Sequence, residues 1–428
     1  MALALRMIRR VVGLLFSRLP ELQLHTVVEP RDKRGRRWPL DTLLTSLFFG
    51  LVSGCKSLLQ TEQLSATISG LFRKRFKLFR RTPDTTLRDL LLKFPASSLR
   101  PLLHRQVKLA HRRKAIPPEG LPFGVLSIDG KDTKISSWDD KYSQFVEHGK
   151  SAYGLVRTLT FCLVSCAARV CLDVIPIPPR TNEMGYFKTA LLELLAVYGK
   201  MKLFQVISYD AGAASKENAE LVKGVGLDYL FALNGFQPTL YEEALRVLGG
   251  LKAQVANGCN EEVRGAQVWV RHVYLTAEME GYHEWDHLKT VVRVELEKQD
   301  KSGRVLERNN RYFLCSLAVE RLSAKQWLKM VRSHWGVENG VHWTLDVPFG
   351  EDDFPWIKDD PQGMVAVLVL RRVAYNLVSL YRSVTQRSEE ARKAAWAALL
   401  SWIREVIVNA REEEVRGIRE RKVAMVLS

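Results

Sequence analysis

Apolar residues recur at three- and four-residue spacing from Leu40 to about Arg113, and turn signals at Pro83-Asp84 and Pro95 cut this stretch into four or five predicted helices. Pro117-Pro118-Glu119-Gly120 then breaks the pattern and marks the best domain boundary in the chain. Beyond it the period changes. Phe123 to Ile128 is an apolar run ending in Asp129-Gly130, and Leu155 to Val174 reads as two more strands. Glu183 to Tyr198 has helical spacing, Leu203 to Tyr209 is a buried strand ending on Asp210, Lys216 to Val225 is helical, and Asp228 to Leu233 is another strand. That alternation predicts an α/β domain. Alternating segments at Gln267 to Leu275, Leu288 to Leu296 and Arg311 to Ser316 predict a β-rich insertion. A helical stretch runs from Ser323 to about Leu345, and two or more helices rich in Ala, Leu, Arg and Glu follow Asp360.

Composition narrows the class. With 428 residues, 46% apolar and 26% charged, the chain is globular and long enough for two or three domains, not a disordered tail, a collagen-like rod or a polytopic membrane protein. Its six cysteines (Cys55, Cys162, Cys166, Cys171, Cys259, Cys315) show no paired CxxC spacing and read as reduced thiols of a cytoplasmic protein. The uncharged stretch Thr42 to Cys55 falls short of the roughly 20 residues of a membrane helix, so a buried helix and no membrane partner are expected. Met1 to Pro20, with Arg6, Arg9, Arg10 and Arg18 among apolar residues, reads as a basic amphipathic helix, not a targeting peptide.

The net charge of +17 points to polyanions, and its distribution says which part would meet them. Residues 1–120 hold 24 Lys and Arg against 8 Asp and Glu, a net of +16, while the other 308 residues hold 40 against 39. A dedicated nucleic-acid-binding segment beside a near-neutral one has that signature. Its clusters are Arg31 to Arg37, with Arg34, Arg36 and Arg37, and Arg73 to Arg81, with Arg73, Lys74, Arg75, Lys77, Arg80 and Arg81. Phe72, Phe76 and Phe79 are interleaved in the second cluster, and Arg112 to Lys114 form a third.

Two apolar strands each end in an aspartate, Asp129 in LSIDG and Asp210 in VISYDAG. A charge after a buried strand is costly unless exposed, paired or metal-bound, so two in one α/β domain suggest carboxylates meeting at the sheet edge. Such oxygen donors suit Mg²⁺ or Mn²⁺, and two ions about 3.5–4 Å apart form the clamp used in phosphoryl transfer. Glu338 is the candidate third carboxylate. Val331, His334, Glu338, His342 and Leu345 follow three- or four-residue spacing and share one helical stripe, so both imidazoles are expected to flank Glu338.

These residues sit in a set of blocks that resembles the H-repeat-associated branch of the DDE transposases of bacterial insertion sequences. The blocks include DKRGRRWPLDTLL (Asp32 to Leu44), TPDTTLRDLL (Thr82 to Leu91), SIDGK (Ser127 to Lys131), RTNEM (Arg180 to Met184), YDAGAASKENAELV (Tyr209 to Val222), DYLFALNGFQPTLYEE (Asp228 to Glu243), YFLCSL (Tyr312 to Leu317) and HWGVENGVHWTLDVPFGEDD (His334 to Asp353). The resemblance implies an RNase H-like catalytic core over residues 119–355 with a β-rich insertion at about 238–320. It places a basic helical DNA-binding domain before that core, at 1–118, and a C-terminal helical region after it, at 356–428. It also implies a DDE triad at Asp129, Asp210 and Glu338 holding two Mg²⁺ or Mn²⁺ ions, double-stranded DNA as partner (terminal inverted repeats and target), a homodimer on paired ends, and phosphate contacts from Lys131 and His334. Related transposases carry Tyr and Arg before the Glu and Lys after it, where this chain has Val331, His334 and Leu345. A second reading is a transposase-derived DNA-binding protein without full catalysis, which would bind DNA in a salt-sensitive way and not cut it. A third feature, HEWDH at His283 to His287, fits a zinc-protease pattern, but Gly281 before it and an alternating strand after it argue against the helix that chemistry needs.

Overall fold

The computed structural model describes residues 5–149, 151–386 and 388–415. The expected N-terminal helix is present as Leu5–Glu21 (α1), the first four residues lying outside those described. Its apolar stripe, Val11, Val12, Leu15 and Leu19, is buried, while Arg6 and Arg9 stay exposed. Five helices follow: Leu40–Val52 (α2), Leu58–Thr67 (α3), Gly70–Phe76 (α4), Asp84–Leu91 (α5) and Ala96–Arg112 (α6). Pro39, Pro83 and Pro95 stand just before α2, α5 and α6, where fixed φ and the missing N–H end the preceding segment. Ser57 opens α3 by accepting from the Gln60 amide.

The sheet begins with Val125–Ile135 (β1), Ser143–His148 (β2), Ser151–Leu163 (β3) and Val170–Pro176 (β4). Glu183–Tyr198 (α7), Val206–Tyr209 (β5), Lys216–Gly224 (α8) and Asp228–Leu233 (β6) complete its first part. β3 runs antiparallel to both β1 and β4, while β5 runs parallel to β1 and β6. The resulting order β4-β3-β1-β5-β6 is that of an RNase H-like core.

The insertion contains Pro238–Leu248 (α9), Gly258–Arg264 (β7), Gln267–Thr276 (β8), Thr290–Asp300 (β9) and Val305–Cys315 (β10). It does not stand apart. β10 pairs antiparallel with β6, so β10, β9, β8 and β7 extend the same sheet, which has ten strands among the described residues. Ala324–His334 (α10) leads through a wide helical turn, Val337–His342, into Trp343–Asp346 (α11). Pro361–Leu380 (α12), Glu389–Arg392 (α13), Trp396–Asn409 (α14) and Glu412–Val415 (α15) follow.

Packing does not stop at Pro117. One apolar cluster runs from Val11 and the α2 core through Val125, Val164 and Val206 to α12 and Ile407. The other face of the sheet buries Phe187, Leu191 and Leu194 of α7 and Val222 of α8. α12 is the pin between the parts: Asn376 bonds both the N–H and the C=O of Cys171 on β4 at 2.8 Å, and Gln106 of α6 donates to the Val373 carbonyl. Residues 361–385 are long and apolar enough to cross a membrane, but 94% of that window is buried inside the protein, as a core helix would be.

Candidate active site

Parallel pairing sets the first two carboxylates side by side. Ser127 of β1 lies in register with Ser208 of β5, so two residues further on Asp129 and Asp210 leave neighbouring strands at the same end of the sheet. Their side chains are 23% and 68% exposed. α10 brings the third. Ser323 starts this helix with a reciprocal capping box to Gln326, and its C-terminal end continues through Trp335-Gly336 into the turn that carries Glu338. Ile128, Asp129, Asp210, His334, Trp335, Val337 and Glu338 line one cleft.

Each aspartate is held by a histidine. His334 Nδ1 lies 2.7 Å from Ser208 Oγ and its Nε2 3.2 Å from Asp210 Oδ1, and Ser127 Oγ donates to the His334 carbonyl at 2.9 Å. The neutral tautomer that satisfies both ring bonds carries its proton on Nε2 and accepts from the Ser208 hydroxyl at Nδ1. The His334 hydrogen bond is the main cause holding the Asp210 carboxyl below its ordinary value. His342 Nδ1 sits 3.1 Å from Asp129 Oδ2, and its Nε2 is buried without a partner. The predicted stripe is thus corrected. Val331, His334, His342 and Leu345 are buried, whereas Glu338 is exposed, because the widened turn at Val337–His342 rotates it away from the regular α-helical face. The imidazoles serve the two aspartates, not Glu338.

A fourth carboxylate, Glu183, was not among the predicted site residues. Asn182 caps α7 by accepting from the Gly185 amide, which places Glu183 in the first turn and turns it onto β1. A Cβ on Gly130 would fall 1.7 Å from Glu183 Oε1, so only glycine at 130 admits this carboxylate beside Asp129. Burial first, then the charges of Asp129 and Asp132, push the Glu183 carboxyl up to about 7. Its sequence signal was hidden because an acid after Asn at a helix start reads as capping.

Lys131 and His334, expected at phosphates, are both largely buried and paired within the chain. The Lys131 ammonium is 3.2 Å from Glu351, 2.9 Å from Asp352 and hydrogen-bonded to Asp346. Glu351 is fully buried: burial raises its carboxyl, but Arg372, Lys131 and Arg371 outweigh that and hold it at about 2. HEWDH is not helical either. His283 and Glu284 both have positive φ, and Glu284 pairs with Lys216 at 3.0 Å.

The basic clusters divide into structural and free members. Arg36 donates to the Arg31 carbonyl, Arg73 to the carbonyls of Ile68 and Ala66, and Arg75 lies over Phe16. Arg80 stacks on Trp38, Arg81 pairs with Glu62 at 2.8 Å, and Lys74 approaches Glu412 at 3.5 Å. Arg34, Arg37 and Lys77 are exposed. Phe72 and Phe76 form an aromatic cluster with Phe16 and Phe49, leaving Phe79 as the outward ring of the three.

The donor set Asp129, Asp210 and Glu338, with Glu183 beside it, fits Mg²⁺ or Mn²⁺ by its hard oxygen chemistry. Among the described residues no three His, Cys, Asp or Glu side chains converge tightly enough to hold an ion, so the carboxylates share the cleft at wider spacing.

The chain is similar to a protein family, to two curated bacterial proteins and to one solved structure. Residues 122–377 match the model of the transposase DDE domain. The H repeat-associated protein YhhI of Escherichia coli strain K12 is 28% identical over 242 residues, 54% of this chain and 57% of YhhI, so the chain spans somewhat over half the length of that relative. YncI of Escherichia coli O157:H7 is 26% identical over 300 residues, 67% of this chain and 70% of YncI. A cryo-EM structure of the piggyBac transposase synaptic complex with hairpin DNA aligns over 99% of this chain and 84% of that one at a TM-score of 0.43 and 14% identity, too remote a likeness to bear on the chemistry. The matched span holds the whole sheet and all three acidic residues, and the chain belongs to the transposase DDE-domain family.

Proposed function

We propose that this protein is a DNA transposase that cuts and joins the ends of its element through Asp129, Asp210 and Glu338. The observation that carries the reading is the meeting in one cleft of three carboxylates from β1, the end of β5 and the turn after α10. Divalent ions held by these groups would polarise the scissile phosphate and ease deprotonation of the attacking water or hydroxyl. The chain's own residues do the rest. His334, anchored to Ser208, fixes the Asp210 carboxylate, and His342 fixes that of Asp129, so both present their free oxygens in set directions. Glu338, exposed on the widened turn, presents its carboxylate to the open side of the cleft as the third donor. Water attacks the scissile phosphate in line and frees a 3′-hydroxyl, which then attacks a target phosphate. Arg34, Arg37 and Lys77 hold the duplex, and a homodimer brings two ends together. Replacing Asp210 by cysteine tests the metal-holding role. Asp210→Cys should lose about 10³-fold or more of its cleavage rate in Mg²⁺ and regain part of it in Mn²⁺, which tolerates sulfur better. Undiminished cleavage by Asp210→Cys in Mg²⁺ would contradict the assignment.

A further inference from the structure

Next to the catalytic cleft lies a larger groove of about 810 Å³ that neither the triad nor the N-terminal basic clusters account for. Its walls are the turn after α2 (Lys56), the β3–β4 turn (Arg169), the segment Asn339 to Pro348, and α12 to α14 with Arg382, Trp396 and Arg404. The two cavities meet at the helical turn itself: Glu338 lines the cleft, and Asn339 and Gly340 line the groove.

Four cations line this groove and no carboxylate does. Two are committed: Lys56 Nζ donates to the Pro348 carbonyl at 2.8 Å, and Arg382 donates to the Ala394 carbonyl while lying over Trp396. The other two are exposed, and no side-chain hydrogen bond or ion pair engages them among the described residues: Arg169 and Arg404. Arg169 sits at φ 45°, and a Cβ on Gly340 would lie 2.7 Å from its Nη1, so its guanidinium rests over the backbone two residues past Glu338. On the same wall Trp343 is 52% exposed.

We propose that this groove takes one strand of the DNA substrate as it leaves the scissile phosphate, Arg169 and Arg404 holding phosphates and Trp343 stacking on an unpaired base. The inference rests on the reading above that DNA is the substrate. Charge complementarity selects a polyanion. The exposed indole beside two free guanidinium groups selects one that carries bases, since stacking on an aromatic ring tolerates any base. The volume of about 810 Å³ is enough for a few nucleotides of a single strand.

The test measures binding of the full chain in EDTA, by fluorescence anisotropy, to a blunt duplex of the element's end and to the same duplex bearing three unpaired nucleotides. The tailed duplex should bind about tenfold tighter. Arg404→Gln, on an exposed helix position, should reduce that advantage and lower the salt slope by about 1. Trp343→Ala should remove most of the advantage, leaving blunt-duplex binding and the salt slope unchanged. Asp129→Asn should keep the preference for the tail, so loss of cleavage there leaves this result readable. Equal binding of blunt and tailed DNA by the wild type, or an unchanged preference in both Trp343→Ala and Arg404→Gln, would overturn the proposal. So would displacement of the tail by inorganic phosphate or poly-glutamate as readily as by single-stranded DNA.

Discussion

At the scale of single residues, a charge was legible where it ends an apolar run, and its partner was hidden where that partner lies far along the chain. Asp129 and Asp210 stood out because each follows an apolar strand; Lys131 did not reveal its acids because they lie at 346, 351 and 352. The departures from related transposases follow the same rule. At the three positions where the resemblance expects Tyr, Arg and Lys, Val331 and Leu345 are fully buried and His334 turns to Asp210. A second buried charge ties the helical region to the core: Asp173 on β4 receives two bonds from Arg100, at 2.8 and 2.7 Å, and one contact from His104 at 2.7 Å. Burial pushes its carboxyl up, but the Arg100 and His104 bonds outweigh burial and hold it below its ordinary value. A carboxyl lowered in the folded state stabilises above the unfolded value and loses that contribution as pH falls, here below about pH 4. Asp173→Asn should therefore cost about 3 kcal/mol at pH 7 and flatten the acid limb of stability, as read by urea unfolding across pH. An unchanged acid limb would show that Asp173 is not the group responsible.

Among the elements, α7 and β6 match the predicted ranges residue for residue, because each is a clean period bounded by a cap or turn. β2, α9 and β7 were not foreseen: β2 and β7 are mostly polar and exposed, so no apolar alternation marks them, and α9 lies inside a span read as strand-rich. The break after α10 was also missed, since His334, Glu338 and His342 keep regular spacing in the sequence while the backbone widens between them. Gly336 makes that turn possible. A Cβ there would lie 2.8 Å from the Ser333 carbonyl and 3.2 Å from Val164. Gly336→Ala should cost about 1–3 kcal/mol through overpacking and, by displacing Glu338, lower cleavage about tenfold while DNA binding is kept. Wild-type cleavage with that stability loss would mean the turn's position does not govern Glu338.

For the molecule as a whole, the sequence divides at Pro117 by charge and period, whereas the packing is continuous. Residues 1–120 carry nearly all the net charge, yet α1, α2 and α6 share one apolar cluster with β1, α12 and α14. Charge patterning reports which surface meets a polyanion, and periodicity reports local elements; neither reports that two segments bury a common face. Calorimetry of the full chain should accordingly show one unfolding transition, and two resolved transitions would argue for independent domains. DNA binding should weaken steeply with salt, by a slope set by the free cations such as Arg34, Arg37 and Lys77. The central claim, that this chain cuts and joins DNA through three carboxylates, is met most directly by a strand-transfer assay with DNA carrying the inverted repeats that flank its gene. The wild type should release 3′-ends and join them to a target plasmid in Mg²⁺ or Mn²⁺ and not in EDTA, and Asp129→Asn and Glu338→Gln should bind the same DNA without joining it. Joining by either variant at the wild-type rate, or by the wild type in EDTA, would contradict it.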